Sequence, residues 1–131
     1  ALLQASQYVQ EDFAILSSEP PVKLIAGAVC FPSRWNIKAK MGLDSDGIHG
    51  PVPKFKETIA KPAETFLEKI SVEKPMQRFN WTLHDTDHIF TPFPEEGRKD
   101  LTADNILDST YVRYERQTLR RMPQTKAVLF T

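Results

Sequence analysis

Apolar and polar positions change period several times along the chain, and each change marks an element. The run "FAIL" (13–16) is followed by "SSEPP" and then by the longer apolar run "VKLIAGAVCF" (22–31). Two apolar runs joined by a proline turn predict a β-hairpin. Gly27, inside the second run, predicts a bulge or a close backbone approach. "SRWNIKAKMG" (33–42) predicts one short helix, with Ser33 as N-cap and Gly42 as its stop. "LDSDGIHGPVP" (43–53) predicts a stiff turn. Beyond it Phe55, Ile59, Ala63, Phe66, Leu67 and Ile70 recur at helical spacing. Pro62 interrupts that pattern, which predicts a kink or a fresh helix with the proline in its first turn. "QRFNWTLHD" (77–85) alternates, with Phe79, Trp81 and Leu83 on one side and Arg78, Asn80, Thr82 and His84 on the other. That is a strand with one apolar face, and Trp81 is expected in the core. "TPFPEEGRKDLTADN" (91–105) predicts a mobile polar loop. "STYVRYERQTLRRMP" (109–123) has strand propensity, "MPQTK" a turn, and "KAVLF" a last strand.

Strands at both ends with helices gathered between them predict an α+β fold. The expected form is a PAS-like antiparallel sheet with short helices inserted between the second and third strands. Helices over one face of a curved sheet leave a pocket, of the kind that takes a small molecule or heme. Residues 1–131 are expected to form a single domain. The chain begins at Ala1 and stops at Thr131 inside a strand pattern, and a portion of a longer polypeptide is expected.

Composition narrows the function classes. Lys+Arg and Asp+Glu are both 17, so the net charge is zero and the pI about 7.1. A nucleic-acid surface normally needs a basic excess, so none is expected. No apolar run approaches the roughly 20 residues of a membrane span, and the first residues lack the pattern of a signal peptide. One cysteine, Cys30, excludes a disulfide framework and points to a reducing, cytoplasmic setting. Its apolar neighbours predict a buried, inert thiol.

The chain holds three histidines, and His49 has the most unusual surroundings. It stands between Gly47 and Gly50, just before Pro51 and Pro53 and a predicted helix. Glycines there permit unusual backbone angles and prolines stiffen the approach. Such a ring could ligate a metal through its lone pair or merely bond the backbone. His84 and His88, four residues apart with Asp85 and Asp87 between, would suit a divalent metal on a helix; on a strand running into a loop they predict an exposed polar loop instead. "RYERQTLRR" (113–121) places Arg113, Glu115 and Gln117 on one strand face and Tyr114, Arg116 and Thr118 on the other.

"VQEDFAIL", "AGAVCFPSRW", "GIHGPVPKF", "RFNW" and "RYERQTLRRMPQTKAVLFT", taken in order, resemble the heme-dependent oxidative N-demethylase family, from about residue 9 onward. The α subunit of that family is a heme-binding PAS-like domain. The resemblance implies oxidation of a small secondary amine such as dimethylamine with O2, through an imine that hydrolyses to aldehyde and smaller amine. It implies heme b as cofactor, with electrons ultimately from NADPH through partner subunits that carry flavin, an iron–sulfur cluster and tetrahydrofolate. On that basis His49 is expected to be the axial iron ligand, flanked by Phe55 and Ile59 as apolar wall. Glu115 and Arg113 are expected to hold the amine cation or orient O2. Arg78 is expected to pair with a heme propionate or with Glu115, and Arg120 and Arg121 to pair with propionates or to face water. The same fold would also serve a non-enzymatic heme or gas sensor, or a relative without heme acting as a structural subunit.

Overall fold

The computed structural model describes residues 1–94 and 98–131. Residues 95–97, within the loop expected to be mobile, lie outside the described residues. The elements in order are α1 (Leu2–Ala5), β1 (Phe13–Leu16), β2 (Leu24–Ala28), α2 (Ile37–Lys40), α3 (Ser45–His49), α4 (Phe55–Thr58), α5 (Ala60–Lys69), β3 (Met76–His84), α6 (Ile106–Ser109), β4 (Tyr111–Arg121) and β5 (Val128–Phe130). All five strands form one antiparallel sheet in the order β2-β1-β5-β4-β3. The fold is α+β, with the helices α2 to α5 between the second and third strands, as expected.

The β1–β2 hairpin forms as predicted, and Gly27 serves close approach. A Cβ there would lie 2.3 Å from Ile37 Cδ1 and 3.0 Å from the Phe13 carbonyl oxygen. The register slips one pair away, where Ile15 faces Ala26 and Leu16 faces Leu24, so Ile25 is the extra residue. Ser33 is not the cap of α2. Asn36 takes that place, accepting from the Lys38 amide at 2.9 Å. Gly42 follows the helix at φ +78°, the left-handed conformation that a stop residue needs. Pro62 falls in the first turn of α5, where its missing N–H leaves no bond unmade.

Leu119 and Val128 on the sheet meet Ile70 at the end of α5, with Leu16, Leu67 and Phe130 packed around them. Val128 is wholly buried, and burial of such a side chain contributes about 1.5–3 kcal/mol. Arg121 ties the same corner together. Its Nε donates to the Ile70 carbonyl at 2.6 Å, Nη2 to Leu67 and Glu68, and Nη1 to Lys126. The Leu67, Glu68 and Ile70 carbonyls end α5 without an intrahelical partner, so Arg121 caps the helix from across the sheet.

Two burial expectations are corrected. Trp81 is 61% exposed rather than in the core, and Phe79, Leu83, Val112 and Tyr114 are exposed with it. The pairs Trp81–Tyr114 and Leu83–Val112 place them on the sheet face opposite Leu119. The helices of the middle block pack on the Leu119 face only, and β5 pairs with just Leu119–Arg121, so most of β3–β4 projects as a two-stranded ribbon. Cys30 is exposed rather than buried, because β2 ends at Ala28 and the next residues leave the sheet.

Candidate functional site

His49 closes α3 rather than sitting in an irregular turn. Asp44 caps that helix by accepting from the Gly47 amide at 2.9 Å, and this local bond outweighs the turn tendency of the glycine. The helix brings His49 over Ser45, and His49 Nδ1 lies 2.9 Å from the Ser45 carbonyl oxygen. A carbonyl only accepts, so Nδ1 carries the proton and Nε2 of the neutral ring keeps its lone pair. The imidazole also stacks on Phe55, with centroids 4.2 Å apart and planes within 15°. Both rings line a cleft of about 490 Å³ together with Asp46, Gly47 and the intervening turn. Pro51, Val52 and Pro53 supply further apolar wall, and Lys54 and Lys56 stand among the lining cations. Ile59, between α4 and α5, is outward-facing and outside that lining.

The second group of expected residues lies on the helix-side face of the β3–β4 ribbon. Asn80 faces Glu115 and Arg78 faces Gln117 across the pair. Glu115 Oε1 accepts from Arg113 Nε at 3.2 Å, and Oε2 accepts from Gln117 at 3.0 Å and Asn80 at 3.3 Å. Gln117 Oε1 accepts from Arg78 Nε at 2.7 Å. Arg113 also donates to the Ile89 carbonyl at 3.0 Å and to the Phe31 carbonyl. One carboxylate is thus held by three donors, with two guanidinium groups beside it. Arg120 is exposed on the opposite face of the sheet, away from this cluster. Arg121 is spent on the end of α5. The lining of the His49 cleft contains no residue of β3 or β4, so the structure holds two separate groups.

A third polar group was not foreseen. His84 is 8% exposed, not part of an exposed loop, and its Nε2 lies 3.0 Å from Ser33 Oγ. Beside it Arg34 is paired with Asp85, and the Lys99 amide donates to Asp85 at 2.8 Å. Thr91 bonds across the same junction to the Pro32 carbonyl and accepts from the Arg34 amide. Burial, then the Arg113 and Arg34 charges, hold the His84 imidazole below its ordinary range. The Lys99 amide, then Arg34, hold the Asp85 carboxyl below its own. His88 is exposed, 3.9 Å from Asp87, and does not meet His84. Among the described residues no group of three or more His, Cys, Asp or Glu side chains could hold a metal ion. The alternation of β3 already put His84 on the Asn80 side; that its end meets Ser33 depends on tertiary packing.

A family model described as "Haem-dependent oxidative N-demethylase, alpha subunit-like" matches residues 1–131, the whole chain.

Proposed function

The chain belongs to the heme-dependent oxidative N-demethylase, alpha-subunit-like family, and from that premise we propose that it is a PAS-like heme b domain that oxidises a small secondary amine such as dimethylamine with O2. The observation that carries this reading is His49, with its Nδ1 proton committed to the Ser45 carbonyl and its other ring nitrogen facing no hydrogen-bond partner among the described residues. An outer hydrogen bond of this kind fixes the tautomer and raises the donor strength of a ligating histidine. The residues around it suit a porphyrin. Phe55, Val52 and two prolines give apolar surface, and Lys54 and Lys56 give cations for propionates. The cleft lies within the 300–1,000 Å³ range common for ligand sites.

Heme, when bound, supplies the redox chemistry, with electrons ultimately from NADPH through flavin and iron–sulfur partner subunits. The chain supplies the rest. His49 would hold the iron through its other ring nitrogen. Glu115 takes the dialkylammonium cation, which needs an acceptor once it leaves water. Its three donors leave it lone-pair capacity, since a carboxylate offers about four acceptor sites. Arg113, anchored on two backbone carbonyls, keeps Glu115 in place and polarises that side. No helix of the described residues is long and apolar enough to cross a membrane.

The separation between the His49 cleft and the Glu115 cluster favours a second reading, a heme-binding module without turnover. Titration of the purified chain with hemin distinguishes the outcomes. A Soret band that is present in the wild type and lost in His49→Ala supports the ligand. Dimethylamine turnover with O2 and a reductant, reduced at least tenfold in Glu115→Gln, supports the enzyme. Binding without turnover selects the module, and no uptake of heme removes both readings.

A further inference from the structure

β3 is an edge strand nine residues long, and among the described residues no strand pairs with its other side. Such an edge offers a row of backbone donors and acceptors to any second strand, and proteins normally guard it with prolines, bulges, charges or a covering segment. The opposite edge is guarded in this way. β2 is short, carries the Ile25 bulge, and bonds through Leu24 to Gly42 and Leu43. Among the described residues β3 has only one of these guards, a single charge. "MQRFNWTLH" contains no proline or glycine, pairs with β4 without a register shift, and has Arg78 as its one permanent charge.

We propose that β3 is a self-association edge: two copies of the chain pair their β3 strands antiparallel about a two-fold axis at Asn80, joining two sheets into one. A two-fold axis perpendicular to the sheet keeps each face on its own side, so paired positions share parity and the axis passes through a residue. Centring on Asn80 overlaps the whole strand. Phe79 then meets Trp81 of the second copy, and the reverse pair repeats it, extending the Tyr114–Trp81 and Phe79–Arg116 rows seen within one chain. Gln77 meets Leu83 on the same face. On the other face Met76 meets His84, Arg78 meets Thr82 and Asn80 meets its own copy, so no like charges stand opposite each other. Aromatic cross-strand pairs are among the more favourable in sheets, and like charges directly opposite are unfavourable. The sequence is therefore self-complementary in this register and needs no other partner chemistry, which selects a second copy as the occupant.

The test is the mass of the purified chain against concentration, by analytical ultracentrifugation, with a cross-link to read the register. A dimer is expected. Thr82→Arg places two arginine pairs opposite each other and is expected to weaken it about tenfold. In a Cys30→Ser background, Asn80→Cys is expected to form a disulfide-linked dimer under mild oxidation, since opposed Cα atoms lie about 4.5–5.5 Å apart. Arg78→Cys, about four residues from its own copy, is expected not to. A monomer at all concentrations overturns the proposal. So does a dimer that Thr82→Arg leaves unchanged, or equal cross-linking at positions 78 and 80.

Discussion

His84 shows what a single side chain contributes and how far it could be foreseen. The alternation of β3 assigns its face, but the burial comes from Ser33, Arg34 and Arg113, which arrive from 50 residues before and nearly 30 after. The sign of its effect follows from the lowered pKa. The unfolded imidazole, near 6.5, takes up a proton that the folded one resists, so stability is full above that value and declines as the pH falls below it. Asp85, also lowered, contributes only in a more acid window, below about pH 4. Urea midpoints measured from pH 7.5 to 5 are expected to fall, and His84→Gln is expected to flatten that slope at some cost in stability. A slope unchanged in the variant would assign the effect elsewhere. His49 was legible in a different sense. Its glycine and proline neighbours marked it out, yet the short helix that points it at Ser45 depends on the Asp44 cap, which the turn-like composition concealed.

Among the elements, period and punctuation were enough for the strands and for the longest helix, while the short helices α1, α3 and α6 carried no such signal. The hairpin, the restart of the helix at Pro62, and the long β4 were all readable, because each depends on local pattern. Caps and burial were not. Asn36 displaced Ser33 because Ser33 is drawn to His84. The aromatic face of β3 kept its alternation but not the burial expected of it, since alternation reports that one side is apolar but not that anything covers it. Arg121, expected to pair with a heme propionate or to face water, is the device that finishes α5. Three carbonyls of residues 67, 68 and 70 converge on one planar guanidinium. Lysine lacks the fork needed to reach them together. Arg121→Lys is expected to lower stability by about 1–2 kcal/mol and Arg121→Ala by about 2–3, given roughly 1.5 per charged hydrogen bond with partial compensation by water. Chemical denaturation with unchanged m-values checks both. Equal losses would assign Arg121 a packing role.

On the scale of the whole molecule the buried core is small and sits at one corner, around Val128. A domain of this kind gains visibly from anything that binds only its folded form. Heme at about one hundred times its dissociation constant is expected to add about 2.7 kcal/mol to the unfolding free energy. The gain is expected to vanish in His49→Ala, and thermal melts with and without hemin measure it. A rise of the same size in the variant would place heme elsewhere. The α+β class, the antiparallel sheet and the inserted helices followed from element order, whereas the distance between the His49 cleft and the Glu115 cluster did not, since no local pattern encodes it.

The β3–β4 ribbon is carried like a span on two piers. One pier is the core at Leu119; the other is the knot where His84 and Arg113 grip the chain near residues 31 to 34. Glu115 hangs between them. A carboxylate so mounted holds its bearing while open to water, and loosening either pier would swing it without any change to the residue itself.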